Sequence, residues 1–272
     1  MSFPALSERT RAAGRAAFLP YLMAGLPGPD ASVELFGALD EAGADGFEIG
    51  LPYADPLMDG PVIQAAGAAA IGAGTTIEAG LRVAGEVAAR FGKPCAVMTY
   101  ANPILRLGID RFCGRAADAG VSALIVADLP VDEAAPFVAG AARRGIGMVL
   151  FAAPTTSDAR LQAVVEAGPV FIYGVAEMGV TGERAAASEW AAGMAARVRA
   201  VTGLPLAFGV GIATPQAAAE AAAVADGVIV GTALVRRVLE APNPAAAARS
   251  LREAGAAFAA SMMRRPGASQ PV

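Results

Sequence analysis

The sequence predicts an α/β fold: a single (β/α)8 TIM barrel with an extra N-terminal helix and a helix inserted after the second strand. Three observations predict it. Short apolar runs rich in β-branched or aromatic residues recur eight times, each followed by an Ala-rich stretch of helical character. No linker interrupts the alternation, and 272 residues is close to the ~250 typical of such barrels. Hydrophobic residues make up 55% of the chain, enough for one large core.

In chain order the strand candidates are AFLPYLM (17–23), DGFEIG (45–50), CAVMTY (95–100) and ALIVAD (123–128). They continue with MVLFAA (148–153), VFIYGV (170–175), LPLAFGVG (204–211) and DGVIVG (226–231). Helices before strands end in EAGADG (41–46), DAGVSA (118–123) and RRGIGM (143–148), where a glycine supplies the left-handed turn. Ser157-Asp158 and Thr214-Pro215 read as helix starts. The arginine-led segment before Gly28 resembles an export signal, but Pro20 interrupts its apolar part and Glu8 lies among its basic residues. It reads as a first helix and first strand. Residues 1–264 are expected to form one domain, with 265–272 a disordered tail.

Two connections break the rhythm. About 45 residues separate strands two and three, room for a loop and two helices, near 62–73 and 76–91. The Gly-rich segment 174–188 is too long for an idle turn, and long βα connections are usually functional.

A net charge of −4 without a basic stripe argues against a nucleic-acid surface. No apolar run approaches the ~18 residues of a membrane span, and a cytoplasmic protein is expected. Cys95 and Cys113 lack a second ligand type at metal spacing, so no metal is expected.

The chain has no histidine, so proton transfer needs another carrier. In Gly46-Phe47-Glu48-Ile49-Gly50, strand alternation sends Phe47 and Ile49 to the helix layer. Glu48 then points into the barrel between two glycines, with space around it, near the C-terminal end where barrel active sites lie. Desolvation there raises a carboxyl pKa toward the range useful for acid–base work. The competing reading is an interior ion pair, and the strand runs offer no Lys or Arg to complete one. Asp55 and Asp59, by contrast, read from local sequence as turn residues in a proline-stiffened loop. Glycines in GVTG (179–182), FGVG (208–211) and VGTA (230–233) fall at the ends of the last three strand units, where barrels place phosphates.

With these residues assembled, the chain resembles the tryptophan synthase alpha chain family from about residue 14 to 240. The resemblance is carried by FEIGLPYADPLMDGPVIQ, MTYANPI, ADLPVDEAAPF, APTTSD, GVTGER and VGTALV. It implies retro-aldol cleavage of indole-3-glycerol phosphate to indole and glyceraldehyde 3-phosphate, with no cofactor in this chain. Glu48 falls on the family's acid–base glutamate, and Asp59 on the aspartate that holds the indole N–H. Tyr21, Met98, Ile125, Tyr173 and the loop residue Thr181 are the implied substrate contacts. Gly182, Gly211, Gly231 and Thr232 are those around the phosphate.

Tyr21 stands where many relatives carry Phe, and Val210 where Phe is common; Glu177 and Met178 also depart from frequent variants. The resemblance further implies an α2β2 complex with a beta chain that holds pyridoxal phosphate and receives indole through a tunnel. The 52–61 loop and the 101–104 region are expected near that interface, and Asp55 reads equally as a turn former or a cross-chain contact. A free-standing lyase and a non-catalytic phosphate-binding barrel are the alternatives; a pure binding module has no need of both Glu48 and Asp59.

Overall fold

A computed structural model of the chain describes residues 1–175 and 184–263, with the backbone alone for 184–190. The expected tail at 265–272 and the positions Glu177, Met178, Thr181 and Gly182 lie outside the described residues.

The described residues form eight parallel strands closed into a barrel in sequence order. The strands are β1 (Ala17–Met23), β2 (Phe47–Gly50), β3 (Cys95–Thr99), β4 (Ala123–Val126), β5 (Gly147–Ala152), β6 (Phe171–Gly174), β7 (Leu206–Phe208) and β8 (Gly227–Val230). The first helices are α1 (Phe3–Ala12), α2 (Pro29–Glu41), α3 (Pro61–Gly72), α4 (Ile77–Phe91), α5 (Ala101–Leu107) and α6 (Ile109–Asp118). The rest are α7 (Ala135–Ala142), α8 (Asp158–Glu166), α9 (Arg184–Val201), α10 (Pro215–Val224), α11 (Thr232–Glu240) and α12 (Pro244–Ser261). No helix of the described residues is long and apolar enough to cross a membrane.

Alternation places the side chains as the sequence suggests. Phe47 points outward, its ring edge-on to Phe36 of α2 at 5.5 Å; Phe18 of β1 stacks on Phe258 of α12 at 6.4 Å. Such pairs add to the burial of their apolar area in holding the outer helices. The expected caps form: Ser157 accepts from the Arg160 amide and Thr214 from the Ala217 amide.

The extra first helix, α1, closes the N-terminal end of the barrel. Its Phe3 ring meets Phe171, at the start of β6, at 5.3 Å. Ion pairs fix it there: Arg11 at 2.9 Å from the fully buried Asp226 ahead of β8, and Arg9 at 3.5 Å from Asp45 ahead of β2. Asp226 also takes Arg199 of α9 at 2.9 Å and the Leu206 amide at 3.0 Å. The inserted helix, α3, packs on β1 and α11 at the opposite end, over the barrel mouth. The connection after β3 holds two helices, parted at Gly108, whose φ of 90° ends α5 and turns the chain into α6.

Candidate active site

Tyr21 of β1, Glu48 of β2 and Ala96 of β3 are register partners, so their side chains share the inward face. Glu48 is 3% exposed. The glycine beside it leaves less free space than the strand pattern suggests. A Cβ at Gly50 would sit 2.1 Å from the Tyr21 hydroxyl, so that room is taken by a phenol. Tyr173 of β6 repeats the arrangement, its hydroxyl 2.0 Å from a Cβ built at Gly209. Glu48 Oε2 is buried without a hydrogen-bond partner among the described residues, and no described Lys or Arg lines the cavity around it. Burial, with the Asp59 charge adding to it, pushes the Glu48 carboxyl up to about 8.

Asp59 arrives from the loop after β2. The loop folds on itself through Leu57 N to Asp55 O and Asp59 N to Pro56 O, both 3.0 Å. It is tied to its surroundings by Gln64 of α3, whose amide donates to Asp59 O at 2.8 Å. Tyr100, just after β3, accepts from the Met58 amide at 3.1 Å and hydrogen-bonds the Asp59 carboxylate. Burial raises Asp59 to about 6, against the lowering effect of Tyr100. Tyr100 packs on Tyr53 at 5.2 Å, and Tyr53 accepts from Asn102 at 2.8 Å. The side chain of Asp55 is exposed and makes no hydrogen bond or ion pair among the described residues.

Both acids open into one cavity of about 690 Å³ at the C-terminal mouth of the barrel. Of the residues singled out from sequence, Tyr21, Met98, Tyr173, Gly211, Gly231 and Thr232 line it with them. Ile125 does not. It is fully buried beside its register partners Met98 and Val149, one layer below Ala127, which does reach the wall. Sequence reasoning missed Tyr100, Phe151 and Asp128. Tyr100 lies two residues after Met98, on the same face by strand alternation, and that period was the signal available.

At the same mouth, Gly209 and Gly211 after β7 line the cavity with Gly231 and Thr232, where α11 begins. Gly231, the N-cap of α11, provides no side-chain hydrogen bond, which leaves the first amides of that helix for an anion. The cavity thus combines an apolar wall (Met98, Phe151, Ile229), the acids Glu48, Asp59 and Asp128, and an anion-receptive helix start.

The family model described as tryptophan synthase alpha chain matches residues 7–263. The chain belongs to the tryptophan synthase alpha chain family. It is 43% identical to the tryptophan synthase alpha chain of Streptomyces avermitilis over 242 residues, 89% of this chain and 87% of that one. It is 44% identical to the one from Salinispora tropica over 253 residues, 93% and 94% of the two chains. A crystal structure of tryptophan synthase from M. tuberculosis, in its aminoacrylate- and BRD0059-bound form, superposes with a TM-score of 0.85 at 36% identity, covering 96% of this chain and 98% of that chain. The tryptophan synthase alpha chain from Legionella pneumophila subsp. pneumophila gives 0.86 at 29% identity, over 96% and 97%. The family is one of lyases that cleave indole-3-glycerol phosphate in tryptophan biosynthesis. For a tryptophan synthase alpha chain, the departures Tyr21 and Val210 both fall on the cavity wall.

Proposed function

We propose that Glu48 and Asp59 carry out the family's retro-aldol cleavage of indole-3-glycerol phosphate. The observation that carries this reading is the convergence of a buried carboxyl, Glu48, and a half-buried one, Asp59, raised unequally to about 8 and about 6, in one cavity. Near neutral pH such a pair divides its labour: the Glu48 carboxyl is mostly protonated and the Asp59 carboxylate mostly ionised. The phosphate rests on the amides at Gly211, Gly231 and Thr232; Gly182, implied by the resemblance at the phosphate, and Thr181, implied as a substrate contact, lie outside the described residues. Tyr21, Met98 and Tyr173 hold the indole ring. Ile125 supports that wall from beneath rather than touching substrate.

Glu48 delivers its proton to ring carbon C3, and Asp59 accepts the indole N–H and balances the positive charge that develops on that nitrogen. The Glu48 carboxylate so formed takes the proton of the adjacent side-chain hydroxyl. The C–C bond then breaks, its electron pair returns to the ring, and the new carbonyl leaves as glyceraldehyde 3-phosphate. One proton has entered at carbon and one has come back from oxygen, so Glu48 ends as it began and no cofactor is needed in this chain.

The proposed setting is cytoplasmic, in an α2β2 complex whose beta chain carries pyridoxal phosphate. In support, Leu57 is 79%, Met58 64% and Leu105 57% exposed, apolar side chains grouped on the loop that carries Asp59 and on α5. Asp55, exposed on the same loop, is a candidate contact there. The test is indole release from indole-3-glycerol phosphate with and without a beta chain. Strong stimulation supports the subunit reading, and full activity alone supports a free-standing lyase. No activity in either condition returns the chain to a phosphate-binding barrel.

A further inference from the structure

The hydroxyl of Tyr21 has a place that packing alone does not require. Tyr21 and Glu48 are directly paired across β1 and β2. The Tyr21 ring runs from Gly231, where a Cβ would meet Cδ1 at 3.5 Å, to Gly50, where a Cβ would meet the hydroxyl at 2.1 Å. Gly50 is the next inward position after Glu48 on the same strand. A phenol oxygen is therefore delivered over the strand position beside a carboxyl whose Oε2 has no partner among the described residues. Phenylalanine would fill the same ring volume without the oxygen.

The groups facing Glu48 leave few other donors. Asp59 from the loop and Asp128 after β4 are acids, and no described Lys or Arg lines the cavity. Tyr100, after β3, already hydrogen-bonds Asp59; the Tyr173 hydroxyl, over Gly209 of the β7 end, also feels the Glu48 charge and is the second phenol on that side of the cavity. Tyr21 is buried, 4% exposed. Burial first, then the Asp59 and Glu48 charges, hold its hydroxyl protonated well above the ordinary range, so it is a donor throughout the working pH range.

We propose that the Tyr21 hydroxyl donates to the ionised Glu48 carboxylate and holds it toward the substrate, making Tyr21 a positioning residue for the acid–base group. This rests on the catalytic reading of Glu48 above. A donor to the charged form favours that form, so Tyr21 keeps the Glu48 carboxyl lower than burial and Asp59 alone would set it. Tyr21 thereby helps Glu48 alternate between acid and base within one turnover.

The test is a carbon-13 carboxyl titration of glutamate-labelled protein, with the Glu48 signal assigned by its loss in Glu48→Gln. In Tyr21→Phe the Glu48 midpoint should rise by about one pH unit. The limb of the kcat/KM profile that Glu48 governs should move up with it, while KM changes less than kcat. An unchanged midpoint in a folded Tyr21→Phe variant overturns the inference, whatever happens to its melting temperature. The catalytic reading is checked separately by the activity of Glu48→Gln: an active variant removes the basis of both, and an inactive one with an unmoved Tyr21→Phe midpoint overturns this inference alone.

Discussion

Asp59 and Glu48 reach one cavity from different elements, a proline-stiffened loop and a barrel strand, and the Asp59 charge adds to burial in raising Glu48 to about 8. A buried acid raised in this way has a cost in stability. Its folded value lies above the unfolded 4.5, so the folded state binds the proton more tightly. Stability is then lost as pH climbs from about 4.5 to about 8, and the loss is complete above that. Glu48→Gln removes the penalty. It should match the wild type near pH 4.5 and exceed it increasingly up to pH 8, by a few kcal/mol at most, as read by urea denaturation at several pH values.

Tyr100 is expected to matter through Asp59. Its hydrogen bond opposes the effect of burial on that carboxyl, and its oxygen also takes the Met58 amide. Tyr100→Phe should lower kcat about tenfold near pH 7, with partial recovery at pH 8 as Asp59 ionises again. A pH–rate profile of the variant checks this.

Much of this geometry was legible in the chain. Alternation alone put Phe47 and Ile49 outward and Glu48 inward, because a two-residue period leaves little choice once a barrel encloses the strand. Asp59 was not legible in that way. Asp-Gly is a local turn signal, and only a tertiary contact, Tyr100 from the next strand, turns its carboxylate into the cavity; the family resemblance was what pointed to it. Ile125 lies one layer below the wall: its side chain faces inward, and the wall is built two residues later, at Ala127. The break between α5 and α6 depends on one glycine at positive φ, which composition does not distinguish from the many others.

The proposed phosphate end is tested at Gly211, whose φ of 81° is a left-handed conformation. Gly211→Ala strains that turn by about 1–2 kcal/mol and displaces the amides facing the anion. We expect a higher KM with a smaller change in kcat, and weaker competition by inorganic phosphate, measured by inhibition kinetics.

The opposite end of the barrel should affect stability without chemistry. Asp226 is fully buried, and although burial alone would raise its carboxyl, the Leu206 amide, Arg11 and Arg199 together hold it below the ordinary value of 3.8. That contribution is present above pH 3.8 and is lost as pH falls through the lower folded value. Asp226→Ala strands two arginines and should cost about 3 kcal/mol or more. The folded fraction of the variant should keep the wild-type kcat, as thermal melts and initial rates at low temperature would show.

Whether the buried Glu48 carboxyl moves the protons of the reaction is decided by the turnover of Glu48→Gln. Indole release should be measured for wild type and variant across pH 6–9, alongside inorganic phosphate binding to show that the cavity is intact. We expect kcat to fall about 10³-fold at every pH, with phosphate binding retained. A folded variant that turns over within a few-fold of wild type would contradict it.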